Sequence, residues 1–314
     1  MASKPQQRWS GQTEQTVSAS SAAVGELTTS FERLWKVLEY SSAYLALIAM
    51  AEVLIVMWLL SLSMSLAPLV ARFITFAIYA NDRLIDIETD GESNPGRTTF
   101  VRRHEEPLST LAAIAYGLGV ALSLLGGPVA FGLAVLPGVA WIVYACNWVP
   151  SSSATITRLK DVLFVNSALV AAAWSVPIVV VPIAFADASF TPAAGVLILY
   201  FFIGTFINVE IANAGDIESD TASGVMTMPV AFGVVRTRQL LFLLTTLILV
   251  VLGYAVVSEY LTLATALILT LGLLSLGSVI ALLGRVDNNS LLTVAAECTR
   301  LPVFAVLILP SLVG

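Results

Sequence analysis

Two acidic pentads, Asp86-Ile87-Glu88-Thr89-Asp90 and Asp216-Ile217-Glu218-Ser219-Asp220, differ at one position and begin 130 residues apart. Asn81 and Asp82 precede the first pentad, and Asn213 precedes the second. At about 100° per helical residue, Asp82, Asp86 and Asp90 fall at i, i+4 and i+8 on one face. Asp216 and Asp220 repeat the i, i+4 step. Carboxylates stacked this way repel one another. Beside a membrane they are costly unless something positive binds them. An oxygen-only cluster suits Mg²⁺, which takes one or two carboxylates together with the phosphates of a substrate. The chemistry read from these residues is therefore metal-assisted handling of a diphosphate. Either motif alone reads equally well as a solvated helix end; the duplication favours a site. Aligning the pentads pairs Asp86 with Asp216 and Asp90 with Asp220. Asp82 is then left as a supporting ligand opposite Ala212.

The elements that must position these acids are apolar. The chain has 314 residues, 58% of them hydrophobic and 11% charged, with a mean hydropathy of +0.90. Such a composition excludes a soluble enzyme, a disordered chain and a disulfide scaffold, and leaves a polytopic helical membrane protein. The net charge of −6, without a basic patch interleaved with aromatics, argues against nucleic-acid binding. Residues 1–30 are rich in Ser, Gln, Thr and Ala and lack an apolar h-region, so they read as a disordered tail rather than a signal peptide. Phe31, Leu34, Trp35 and Leu38 then share one helical face, as in an interfacial helix or the start of the first span. Nine apolar runs follow, near 41–62, 66–85, 107–126, 128–148, 162–185, 191–213, 239–257, 260–283 and 292–313. Each approaches the roughly 20 residues that a spanning helix needs. The expected fold is all-α, with nine transmembrane helices around a central cavity. The pentads close the second and sixth runs, which suggests two four-helix repeats plus one. One domain, 31–314, is expected.

Basic residues set the orientation. Thirteen of the fifteen Lys and Arg lie before the first run, in alternate connections or, for Arg83, at the border of one; Arg72 and Arg300 lie deeper inside runs. The positive-inside rule then gives a cytoplasmic N-terminus, an external C-terminus and both pentads on the cytoplasmic side.

These residues resemble the UbiA superfamily of intramembrane prenyltransferases, which has nine spans and two cytoplasmic Asp-rich motifs. Asn81-Asp82, Asp86 and Asp90 match its first motif with one extra residue, and Asn94-Pro95-Gly96-Arg97-Thr98 looks like the segment that follows it. Asp216 and Asp220, with Gly224-Val225-Met226-Thr227-Met228-Pro229 downstream, look like its second. The family's Tyr-x-x-x-Lys pattern is similar to Tyr144 and Lys160 here, separated by an apparent insertion, with Asn166 beyond. The resemblance implies Mg²⁺-dependent transfer of a prenyl group from an allylic diphosphate to a lipophilic acceptor through an allylic cation. It implies that Asp82, Asp86, Asp90, Asp216 and Asp220 hold metal, and that Lys160 adds fixed positive charge. Arg97, Arg158, Arg236 and Arg238 lie on the same side and serve as diphosphate contacts or topology determinants. Asn81 and Asn213 offer carbonyl oxygens to metal or water, or bond between helices.

Two other readings accompany this one. A UbiA-type terpene cyclase needs no separate acceptor. A divalent-cation transporter also suits duplicated acidic motifs, although both motifs lie at one membrane edge rather than at the midplane. Among the remaining polar residues, Arg72 is expected to pair with Glu210 or Glu52 or to orient substrate, and Glu297 to pair with Arg300. Trp58, Trp141, Trp148 and Trp174 are read as anchors or packing, Cys146 and Cys298 as buried thiols, and His104 as a solvated loop residue.

Overall fold

The computed structural model describes residues 32–85, 87, 95–145 and 164–313. The chain runs α1 (Glu32–Tyr40), α2 (Ala43–Leu59), α3 (Ala67–Ile85), α4 (Pro95–Arg103) and α5 (Glu105–Ser123). It continues with α6 (Gly127–Ala145), α7 (Val165–Phe185), α8 (Pro192–Asn213), α9 (Ile217–Ser223) and α10 (Met228–Val257). It ends with α11 (Leu263–Leu282), α12 (Asn289–Glu297) and α13 (Leu301–Val313). Local chemistry sets several of these bounds. Thr191 caps α8 by accepting from Ala194 N at 3.3 Å, and Pro192 presets the first helical φ. Thr262 and Asn288 cap α11 and α12 in the same way.

Each of the nine apolar runs coincides with helix in the described residues. The element order also repeats: two long helices, a short one and two long ones, first from α2 to α6 and again from α7 to α11. Six helical stretches are long and apolar enough to cross a membrane among the described residues, or seven if α1 and α2 form one broken span. This is fewer than nine for identifiable reasons. The helix α2 has 17 residues, and α3 carries Arg72, Asp82 and Arg83. The stretch Glu105–Val139 counts once, yet the Tyr116 hydroxyl of α5 donates to Val135 O of α6 at 3.0 Å. Those two residues are nearly equidistant from the Gly126-Gly127 turn, so α5 and α6 fold back as a hairpin.

Contacts divide the chain into two units. One holds the described residues up to Tyr44 together with those between Tyr79 and Ser109. In it an aromatic series packs Trp35 against Tyr44, Tyr40 against Phe100, and Phe100 against His104, with ring centroids 4.5–6.0 Å apart. His104 is thus half-buried on Phe100 rather than solvated, and its Nδ1 lies 2.9 Å from Phe100 O. The Arg83 Nε donates to Ser42 Oγ at 3.1 Å.

The other unit holds Leu45–Ile78 and the described residues from Thr110 onward. Its core is built from residues such as Val53, Val179, Leu197, Phe201, Ile207, Leu241, Ile248, Leu269 and Ile280. Inside this apolar core lies an ion pair. Arg300 Nη1 sits 2.9 Å from Glu52 Oε1, and Trp174 Nε1 donates to Glu52 Oε2 at 2.6 Å. Arg300 also reaches Thr205 Oγ1 at 3.3 Å and lies over the Phe201 ring. A Cβ at Gly204 would meet Arg300 Nη2 at 2.4 Å, so the glycine makes room for the guanidinium. The expected pairing of Arg300 with Glu297 is therefore replaced. Glu52 is fully buried and Glu297 only half-buried, and a buried carboxylate gains more from a cation than one that water reaches. Arg72 is exposed, and Arg300 takes the Glu52 pairing suggested for it. Trp174 and Trp58, which stacks on Phe304, are packing residues as expected. Cys298 is half-buried rather than buried.

Candidate active site

The second acidic motif is built where α8 ends. Asn213 is the last residue of α8, and Ala214-Gly215 turn the chain into Asp216. Asp216 occupies the N-cap position of α9, yet its side chain makes no capping bond to that helix. Asp220 follows one turn later, its N bonded to Asp216 O at 2.8 Å. Gly224 then ends α9 in the left-handed conformation, φ 73°, with its N–H returning to the last turn. A residue with a Cβ is strained there, and the reversal brings the chain back to Thr227 within three residues.

Thr227 occupies the N-cap position of α10, with Pro229 in the first turn. A threonine in that place ordinarily bonds the helix's own N–H groups. Here its hydroxyl instead donates to Asp220 Oδ2 at 3.3 Å. The capping is done by Glu210, which lies on α8 one turn before Asn213. Its Oε2 accepts from Met228 N at 3.1 Å and from Asn213 Nδ2 at 3.3 Å. Its Oε1 accepts from Ser167 Oγ of α7 at 2.6 Å. Glu210 has no exposed surface, so these bonds replace the water it has lost.

Partial burial pushes the Asp220 carboxyl above its ordinary range. The Thr227 hydrogen bond opposes this shift, while the charges of Asp216 and Glu210 reinforce it. Asp216 is exposed and Asp220 half-exposed. Two carboxylates one turn apart, with a hydroxyl beside one of them, offer hard oxygens whose mutual repulsion a cation relieves. Those residues fit Mg²⁺. Among the described residues no three His, Cys, Asp or Glu side chains come together as a ready-made metal centre.

The other expected site residues are distributed as follows. Asp82 is exposed on the last turn of α3, with one carboxylate oxygen 4.0 Å from Arg83 Nη1. Asn81 is half-buried on the same turn, and Arg97 is half-buried in α4. Asn166 lies in the first turn of α7, next to Ser167. Asp86, Asp90, Arg158 and Lys160 lie outside the described residues, as does the side chain of Tyr144. Arg238 donates to Leu283 O at 3.0 Å, at the end of α11, which is a structural role, and Arg236 is exposed. Sequence reasoning offered Glu210 as a partner for Arg72 and missed that it ties three helices together. The one signal available was an acid inside an apolar run, one turn before Asn213.

Comparison with known proteins bears on this arrangement. The model of the UbiA prenyltransferase family matches residues 40–295, and the chain belongs to that family. It is an intramembrane prenyltransferase by class and a multi-pass membrane protein. No curated protein matches the chain in sequence. Three solved structures share the fold at low identity. An apo UbiA homolog from Aeropyrum pernix K1 is 14% identical, with a TM-score of 0.59 over 88% of this chain and 98% of that one. A digeranylgeranylglyceryl phosphate synthase is 15% identical, with a TM-score of 0.57 over 88% and 98%. A UbiA homolog from Archaeoglobus fulgidus, bound to DMAPP and Mg²⁺, is 14% identical, with a TM-score of 0.53 over 86% and 98%.

Proposed function

We propose that this protein moves an isoprenyl group from an allylic prenyl diphosphate to a lipophilic acceptor in an Mg²⁺-dependent reaction that passes through an allylic cation. The observation that carries the reading is the Asp216–Asp220 pair on the connection after α8, held through Thr227 in a chain of this family. The Archaeoglobus fulgidus homolog bound to DMAPP and Mg²⁺ supports the same substrate and ion here. Asp82, Asp86 and Asp90 of the first motif and Asp216 and Asp220 of the second are the proposed metal-holding residues. When bound, the ion supplies positive charge against the negative charge that develops on the departing diphosphate. Thr227 orients the Asp220 carboxylate. Lys160, Arg97 and Arg158 add fixed positive charge for the diphosphate, with Asn81, Tyr144, Asn166 and Asn213 as further polar contacts. Apolar helices receive the isoprenoid tail and keep water from the cation.

The catalytic domain is residues 31–314, preceded by a cytoplasmic tail. It crosses the membrane nine times, with Lys160 and Arg238 on the cytoplasmic side and Gly314 outside. Cysteines introduced at 159 and 314 and treated with an impermeant maleimide on intact cells test the orientation. Labelling at 314 alone is expected; labelling at 159 contradicts it. The chemistry is tested by mass spectrometry of lipid extracts from cells with and without the chain. A new prenylated lipid is expected, whereas a cyclised hydrocarbon from the diphosphate alone would make the protein a cyclase.

A further inference from the structure

Glu210 stands outside both acidic motifs, yet its carboxylate touches both ends of the segment that carries the second. Asn213 begins that segment and Met228 follows it, and Glu210 Oε2 accepts from each. Ser167 anchors the other oxygen on α7. The four N–H groups that open a helix need acceptors, and the side chain at the N-cap normally provides one. Thr227 has that position and a suitable hydroxyl, but makes no capping bond. Glu210 supplies an acceptor for the first of these N–H groups, that of Met228, and the neighbouring Thr227 hydroxyl donates to Asp220.

We infer that Glu210 is a positioning residue for the metal site: by holding Met228 N and Asn213 Nδ2 on one oxygen it fixes both ends of the segment that carries Asp216 and Asp220. This rests on the proposed metal-diphosphate function and deepens it. A purely structural Glu210 would affect how much protein folds; a positioning Glu210 also affects how tightly the folded protein holds a divalent cation. Glutamine can aim its amide oxygen at Met228 N and Asn213 Nδ2 and its N–H₂ at the Ser167 hydroxyl, and so keeps the tie. Methionine keeps the length of the side chain but offers no such acceptor. In Glu210→Met both N–H groups lose their partner, and the ends of the segment that carries Asp216 and Asp220 are released.

The test is Mn²⁺ binding to the full chain in detergent micelles, followed by the electron paramagnetic resonance of the free ion. Native protein is compared with Glu210→Met, Glu210→Gln and Thr227→Val. Valine at 227 removes the donor to Asp220 without removing a cap. Glu210→Met is expected to weaken Mn²⁺ binding about tenfold, in the range seen when the partner of a metal ligand is removed. Thr227→Val should weaken it in the same direction, and Glu210→Gln, which keeps the acceptor, should bind within about twofold of native. Binding by Glu210→Met within about twofold of native, or equal loss in Glu210→Gln and Glu210→Met, would overturn the role of Glu210. If Glu210→Met does not fold, Thr227→Val decides alone, and unchanged affinity there overturns it. Absence of saturable Mn²⁺ binding by the native chain would instead remove the metal reading itself.

Discussion

Glu52 and Glu210 are both fully buried acids on long apolar helices, and their surroundings solve the same problem in opposite ways. Glu52 is met by a cation, Arg300, and by the Trp174 N–H. Glu210 is met by three neutral donors, one of them the first N–H of α10. An ion pair in an apolar core holds its elements in one register, and removing one partner strands the other. A carboxylate at a helix start instead uses backbone groups that need an acceptor anyway. The difference teaches which buried charge is tied to chemistry. The Glu52 pair joins α2, α7 and the turn before α13, while Glu210 controls the segment that holds Asp216 and Asp220.

The largest expected effect lies on the acids that Glu210 serves. Asp216→Ala is expected to lower turnover with an allylic diphosphate by about a thousandfold, or several kcal/mol of lost charge stabilisation, while leaving the unfolding midpoint in detergent close to native. Turnover within tenfold of native would remove Asp216 from the site. Next comes the ion pair. Arg300→Ala leaves Glu52 buried and alone and is expected to destabilise the fold by about 3–5 kcal/mol. Glu52→Gln combined with Arg300→Met should recover most of that loss. Equal destabilisation by the single and double variants would show that packing rather than charge dominates there.

A smaller effect is expected at Gly204. A Cβ placed 2.4 Å from Arg300 Nη2 forces the guanidinium aside, and Gly204→Ala should cost about 1–3 kcal/mol. An unchanged melting temperature would mean that the pair shifts freely. The smallest effect concerns Asp220, whose carboxyl burial pushes above its ordinary range. A raised folded-state value stabilises the fold below the unfolded value, and that contribution is lost as pH rises through the folded one. In EDTA, Asp220→Asn should therefore melt slightly higher than native at pH 7, with the difference disappearing at pH 3. A lower melting temperature for the variant at pH 7 would contradict the sign.

The parts legible in the sequence were those set by local rules. Apolar runs marked every long helix, because a spanning helix must be apolar over most of its length. The i, i+4 spacing and the repeated pentad located Asp216 and Asp220 at the end of α8. Charge pairing was not legible in the same way. Spacing suggested Glu297 for Arg300, but the chosen partner lies 248 residues away, and only the packed core shows which acid is the more buried. The role of Thr227 was hidden for the opposite reason. Local rules make it a helix cap, and only the folded connection shows its hydroxyl on Asp220.

The most direct test of metal-dependent prenyl chemistry is the release of inorganic diphosphate from an allylic diphosphate by the purified chain in micelles containing a membrane lipid extract as acceptor. Release is expected with Mg²⁺ or Mn²⁺, to vanish in excess EDTA, and to return when the cation is restored. Undiminished release in the chelator would contradict the metal-diphosphate mechanism.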